Sequence, residues 1–367
     1  MIGPALRGDE RVVVRLPSWL GDFVMAEPAL RALEAALARG NLTLVGLAPH
    51  LELLARRFPT ARRVALTTRD GDTPAAYTGH DLALLFTGSF RSAWAAFRAR
   101  VPRRAGFARD GRSLLLTDAL TPARERGGVP LELGRAGGGR RWLPRPLTRS
   151  LAELLGLLGV PLEHPEPRLD VEPEALADAR ARRAAAGLDP DAPFVLVHAG
   201  ARPGSSKGVE PSLWTRAARA LVERTDLAFV FAAGPGEEAS LSALGELTGL
   251  CTLVLATPMA NLGELLAHTT EARLVWSGDT GPRHFARALQ RPAVIVTGPT
   301  DPRHCGEDVR ERLVLTRVAC GPCHLDRCPF SGGDHRRCQT LLEPAGLVLS
   351  SLELLAAQRS GVADAVL

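Results

Sequence analysis

Lysine is almost missing from this chain: 44 of its 45 basic residues are arginine, and Lys207 stands alone. Arginine is a fixed planar fork and lysine a compact point charge, so a single lysine kept against that bias marks a place where arginine does not serve. Tyrosine occurs once, and the aromatic residues are not interleaved with the basic ones. That argues against the stacking platforms of a nucleic-acid binder, which the net charge of +5 would otherwise allow. No window of eighteen residues is apolar throughout, which leaves no candidate membrane-spanning helix. Met1 to Glu10 lacks the basic-then-apolar pattern of a secretory leader. The expectation is a cytoplasmic protein whose six cysteines stay reduced. The P-loop spacing is missing, no Asp-x-Asp pair is placed for nucleotide binding, and no repeat period emerges.

What is present is an alternation of short apolar strands and helical stretches. Strands are expected at Arg11–Leu16, Asn41–Leu47 and Asp81–Phe86, and a helix carrying Met25, Leu30, Leu33 and Leu37 follows the first. A proline-rich passage, Pro161–Pro167, reads as a linker. A fresh series opens with Phe194–His198 and continues through Leu227–Ala232, Leu274–Trp276 and Ala293–Val296. Apolar strands of this kind, separated by helices, form parallel sheets covered on both faces. The fold class is therefore α/β, with two doubly wound parallel-sheet domains, residues 1–170 and 171–367. In such sheets ligands bind beyond the carboxyl ends of the strands. The Gly/Arg-rich stretch Gly134–Arg141 reads as a mobile loop.

Four loops carry candidate chemistry. Pro17–Asp22 follows the first strand. Gly21 permits a tight path, and Asp22 is either a base that takes a proton from a hydroxyl or a cap for a helix beginning near Phe23. His198–Lys207 follows the first strand of the second series and reads as a phosphate loop or a solvated turn. Ser277–His284 precedes a helix whose N-terminus favours an anion, with Pro282 suited to its first turn. Asp279 and Thr280 there can equally be caps, while Glu237 and Glu238 offer carboxylates to ribose hydroxyls or lie in a surface loop. Cys320, Cys323, Cys328 and Cys338 admit a structural zinc site or a cluster of free thiols. Cys251 and Cys305 read as ordinary buried residues.

Taken in order, Arg15–Leu30, Ser89–Ala93, Pro102–Phe107, Asp110–Leu115, Gly278–His284 and Gly298–Pro302 resemble the ADP-heptose:lipopolysaccharide heptosyltransferases of glycosyltransferase family 9, in particular heptosyltransferase II. The resemblance implies the GT-B fold, two Rossmann-like domains facing across a cleft, with a last helix near Leu347–Ala357 that returns to the first domain. It implies an inverting transfer of heptose from ADP-heptose to the inner core of lipopolysaccharide. Asp22 would be the base and Lys207 the catalytic cation. The donor would meet Gly200, Ser205, Ser206, Lys207, Glu237 or Glu238, Asp279, Thr280, Gly281 and His284. A phosphorylated, lipid-linked acceptor would meet Ser18, Gly21, Arg103, Arg104, Arg109 and Arg112. Twelve arginines and four aspartates between Arg56 and Arg112 suit that acceptor and a peripheral place at the inner membrane leaflet. No cofactor is required, though a divalent cation can assist. The chain departs from the family at Gly200–Ala201 and at Gly208–Glu210, where an aromatic commonly follows the lysine. A transferase using another nucleotide-diphosphate sugar and a nucleotide-sugar epimerase remain as alternatives.

Overall fold

The structure, a computed structural model, describes residues 4–126, 140–202, 204–234, 236–244, 252–254, 262–304, 306 and 308–360. These divide at residue 170 into two compact units. The first holds β1 (Val12–Arg15), β2 (Leu42–Leu47), β3 (Arg62–Leu66), β4 (Leu82–Leu85), β5 (Arg103–Phe107) and β6 (Asp118–Leu120). They form one parallel sheet in the order β3-β2-β1-β4-β5-β6. A short antiparallel ribbon, β7 (Arg124–Arg126) with β8 (Arg140–Trp142), lies beside it in sequence. The last two residues of the expected mobile loop, Arg140 and Arg141, thus belong to a strand, and 134–139 lie outside the described residues.

The second unit repeats the plan. Strands β9 (Phe194–His198), β10 (Ala228–Ala232), β11 (Thr252–Val254), β12 (Leu274–Gly278), β13 (Ala293–Val296) and β14 (Glu311–Val314) run parallel in the order β11-β10-β9-β12-β13-β14. Every residue of β1, β9, β10 and β12 is buried, as a central strand with helices on both faces requires. Each sheet reverses its winding at the central pair, β1/β4 and β9/β12, and that reversal opens a crevice at the carboxyl ends.

Aromatic side chains fill the core of the second unit, where Trp214, Trp276, Phe229 and Phe231 are buried together. The Trp276 indole N–H donates to Ser351 at 2.9 Å, so the one polar atom of that ring is satisfied. Ser351 lies in the helix Pro344–Arg359, whose Leu347, Val348, Leu354 and Leu355 join the same core. This helix packs on its own unit. Its apolar residues are consumed by β13, β14 and the helix Pro211–Val222.

The proline-rich passage is fastened to the first unit. Buried Glu27 accepts from Arg57 at 2.6 Å, Arg31 at 3.3 Å and the Arg168 amide at 2.9 Å. Arg31 also reaches the carbonyls of His164 and Glu166.

Candidate active site

In the first unit the loop after β1 rests on a buried polar cluster. Arg15, the last residue of β1, is 1% exposed and donates to Asp72 at 2.8 Å, to the Arg69 carbonyl at 2.7 Å and to the Ser18 hydroxyl at 3.3 Å. The hydroxyl of Tyr77, the sole tyrosine, closes on the same Asp72 carboxylate. Burial and the neighbouring Asp72 charge push the Tyr77 phenol far above its ordinary pKa, so it remains a donor. Ser18, an expected acceptor contact, is thereby tied to the loop's foundation. The helix begins at Leu20, not near Phe23, and Trp19 occupies the N-cap. Asp22 sits in the exposed first turn with Gly21 before it, so it is not the cap. A carboxylate there gains from the positive end of the helix. Behind it, Phe23 stacks on His50 at 4.3 Å between ring centres, and burial pulls His50 down to a pKa of about 4.

In the second unit three loops meet at the carboxyl ends of β9, β10 and β12. The Lys207 ammonium donates to the main-chain carbonyl of Asp279 at 3.1 Å and approaches its carboxylate at 3.4 Å. The Lys207 side chain stays 41% exposed, so the cation is held from behind and open in front. Arg283 donates to the other Asp279 oxygen at 3.0 Å and grips Glu311 at 3.2 and 2.7 Å. Burial opposes charge on Asp279, but Lys207, Arg283 and a Thr300 hydrogen bond together hold its carboxyl well below the usual range. An ionised carboxylate in this position would repel a diphosphate. Asp279 holds Lys207 and Arg283 on its two carboxylate oxygens.

Thr280 is the N-cap of the helix Gly281–Ala288, in extended conformation, with Pro282 in the first turn. Its hydroxyl is buried and has no hydrogen-bond partner, and the same holds for Nδ1 of His284 one turn on. Burial and Arg283 press His284 down to a pKa of about 3, so the ring is neutral. Two unsatisfied polar atoms beside a helix N-terminus and a lysine form a site for an oxyanion.

Glu237 supplies the third element. Its carboxylate accepts from the Gly234 amide at 2.8 Å and lies so close to Gly200 that a Cβ at residue 200 would overlap it. A side chain at residue 200 would therefore push the Glu237 carboxylate aside. Glu238 opens the helix Glu238–Ser242, and its side chain lies outside the described residues. Beside these loops a cavity of about 460 Å³ is lined by Ala199, Gly204, Ser205, Gly208, Glu210 and Arg336.

This geometry can be set against known proteins. Residues 145–332 match the sequence profile described as Glycosyltransferase family 9 (heptosyltransferase). The chain belongs to glycosyltransferase family 9. Lipooligosaccharide heptosyltransferase 2 of Haemophilus ducreyi is 22% identical over 345 residues, 89% of this chain and 94% of that protein. The structure of Escherichia coli ADP-heptose lps heptosyltransferase II superposes with a TM-score of 0.71 at 19% identity, covering 95% of this chain and 99% of the other. E. coli heptosyltransferase WaaC with ADP-2-deoxy-2-fluoro heptose gives 0.61 at 18% identity, over 94% and 98%. The GT-B fold of two Rossmann-like units follows.

Within this family 9 transferase the four expected acceptor arginines part company. Arg103 and Arg104 begin β5, about 13 and about 10 Å along the strand from its carboxyl end at about 3.3 Å per residue. Arg103 is paired with Asp118 at 3.0 and 3.2 Å, and Arg104 donates to the carbonyls of Leu115 and Val101, each at 2.6 Å. Arg112 is wholly buried, bonding Phe107 and Ser89 carbonyls, with its pKa lowered to about 10 by burial. Only Arg109 is exposed beyond the carboxyl end of β5, its guanidinium 5.1 Å over the Trp142 ring. The strand Arg103–Phe107 went unread in the sequence because it is short, arginine-led and carries Gly106. That hid which end of the sheet its arginines occupy.

Ser205 and Ser206 lie in the loop that carries Lys207. The Ser205 hydroxyl accepts from the Lys207 amide at 3.2 Å, and buried Ser206 spends its hydroxyl on the Leu325 carbonyl and its amide on Asp326 at 2.8 Å. Both shape the lysine loop. Arg336, which the sequence did not single out, bonds the Gly208 carbonyl and pairs with Glu210 at 3.1 Å.

Arg336 comes from the cysteine loop, and its amide donates to Cys328 Sγ at 3.3 Å. Cys320, Cys323, Cys328 and Cys338 line one small cavity and are free thiols, with Cys338 pushed up to about 11 by burial. Among the described residues no group of three or more His, Cys, Asp and Glu is spaced to hold a metal ion. Cys251 and Cys305 lie outside the described residues.

Proposed function

We propose that this transferase moves heptose from ADP-heptose onto the inner core of lipopolysaccharide, with inversion at the sugar. The observation that carries the reading is the convergence of Lys207 with the partnerless Thr280 hydroxyl at the head of the helix Gly281–Ala288. That set suits the diphosphate of a nucleotide sugar, and Glu237 beside Gly200 suits the ribose hydroxyls. The choice of ADP and heptose rests on the relatives, which are heptosyltransferases by name, one of them solved with an ADP-heptose analogue.

In this reading the Asp22 carboxylate takes the proton from an acceptor hydroxyl. The freed oxygen attacks the anomeric carbon, and the bond from that carbon to the diphosphate oxygen breaks. Negative charge grows on the departing ADP, and Lys207 and the helix amides bind it more strongly in the transition state than before it. Asp279 is a positioning residue that keeps the ammonium aimed. Arg109 and Gly21 remain the first unit's acceptor contacts. The acceptor is lipid-linked, so the enzyme works from the cytoplasm against the inner leaflet. No step above runs through a metal, and transfer should persist in chelator.

The test is a donor panel. ADP-heptose, other ADP-sugars and other nucleotide-linked heptoses are incubated with heptose-deficient core lipid, and each donor also alone. Transfer from ADP-heptose at least about ten-fold above the rest supports the reading, since buried polar contacts discriminate strongly. Isomerised sugar in the tubes without acceptor would instead identify an epimerase.

A further inference from the structure

The helix Phe90–Arg98 in the first unit is amphipathic the wrong way round for a core helix. Its inward residues are small: Ser92, Ala93, Ala95 and Ala96 are buried against the sheet. Its outward residues are large, with Phe90 48%, Trp94 44% and Phe97 44% exposed. Spacings of four and three put these rings on one stripe. They stack on each other, 6.5 Å from Phe90 to Trp94 and 5.7 Å from Trp94 to Phe97. The turn Arg112–Leu115 packs against the same helix and carries Leu114, 92% exposed.

The surroundings are cationic. Residues 82–109 contain six arginines and no acidic residue. Arg98 lies 5.9 Å over Trp94 and Arg104 lies 5.5 Å over Phe97. Arg98, Arg100 and Arg104 line an open hollow of about 510 Å³ beside Phe97. Among the described residues, no other helix presents three exposed aromatic rings in a row.

We infer that this stripe docks the enzyme on an anionic phospholipid bilayer. Aromatic rings favour the headgroup level, where an apolar body and a polarisable face are both accommodated. Arginine stems lie along apolar surface while their guanidiniums reach phosphates. A rim of arginines draws the helix to anionic lipid over zwitterionic lipid. A convex helix with outward rings also meets a flat bilayer better than it fills a protein groove. The same reading gives Arg104 a place, at the hollow beside Phe97 and away from the carboxyl ends of the strands. The inference deepens the proposed function, since it rests on an acceptor held in a membrane. Vesicle binding is measured without donor or acceptor, so each idea fails separately.

The full chain is floated with vesicles of phosphatidylcholine alone and of phosphatidylcholine with phosphatidylglycerol, at low and high salt. The expected result is at least about ten-fold tighter binding to the anionic vesicles at low salt, weakened as salt rises. Phe90→Ser/Trp94→Ser/Phe97→Ser should lose about ten-fold or more of that binding while keeping its melting temperature and its transfer to a short detergent-free acceptor. If the triple variant does not fold, Phe97→Glu alone is used, with quenching of Trp94 emission by brominated lipid as the readout. No binding to anionic vesicles, or equal binding by the variant, overturns the inference. So does a wild-type dimer that the triple variant converts to monomer, because the stripe would then be covered by a second copy.

Discussion

The Lys207 ammonium stands 3.1 Å from the carbonyl of Asp279 and 3.4 Å from its carboxylate, while its side chain remains 41% exposed. The two residues lie 72 positions apart, and they meet because β9 and β12 are neighbours at the sheet's reversal. A compact charge held in this way differs from the fork of an arginine. Lys207→Arg should keep the fold and the net charge, yet lose roughly 1.5–3 kcal/mol of charge-assisted phosphate bonding. That equals a fall of about ten- to hundred-fold in kcat/KM, at about 1.4 kcal/mol per decade. Steady-state transfer with a thermal melt as control measures it, and wild-type kinetics would remove Lys207 from the site.

Gly200 has no room for a methyl group, because the Glu237 carboxylate occupies the space. Gly200→Ala should displace Glu237, weaken ADP binding several-fold and cost about 1–3 kcal/mol of stability through overpacking. Adding Glu237→Ala should restore the melting temperature but not the affinity, as read by calorimetric titration with ADP. Recovery of both would mean that Glu237 does not touch the nucleotide.

Arg103 and Arg104 occupy the amino edge of their strand, so they should matter to stability and not to the acceptor. Arg103→Gln/Arg104→Gln removes the arginine partner of buried Asp118 and should cost roughly 3 kcal/mol. Below its melt, the variant should keep an acceptor KM within about two-fold of wild type, since it lacks no contact at the site. Arg109→Gln should raise that KM with little change in stability. The reverse pattern would return the acceptor to the arginine pair.

Four histidines, His50, His198, His268 and His284, have pKa values lowered to between about 3 and about 4 by burial. In the unfolded chain they titrate near the ordinary 6.5, so below that pH the unfolded state binds more protons than the folded state. Stability is therefore full above the unfolded pKa and falls as pH drops from 7 to 5, by about 2 kcal/mol for each such group. Asp279, held well below the carboxylate range, stays ionised through this window and adds nothing to the slope. Urea midpoints across the interval check this, and replacing His268 with Phe should flatten the curve. A stability independent of pH there would mean that the histidines are hydrated.

The sequence was legible where apolar strands announce themselves. Val12–Arg15, Phe194–His198 and Leu274–Gly278 are buried throughout, and the loops after them fall where parallel winding must put them. Edge strands were not legible. Arg62–Leu66 and Glu311–Val314 mix charge with apolar residues because one side faces away from the core. Two roles were invisible for a different reason. Glu311 reaches the site only through Arg283, 28 residues away, and Ser206 looks like a phosphate contact until its hydroxyl is found on Leu325. Neither pairing leaves a local pattern, since long-range partners are set by packing of whole elements.

The measurement that bears most directly on the account is single-turnover transfer with ADP-heptose and heptose-deficient core lipid, followed by mass spectrometry and by NMR of the new linkage. The wild-type enzyme should add one heptosyl residue per acceptor, release ADP in equal amount, and give the anomeric configuration opposite to that of the donor. Asp22→Asn should bind ADP normally and transfer at least about a hundred-fold more slowly, as loss of a general base requires. Retention of configuration, or near wild-type turnover by Asp22→Asn, would contradict the account.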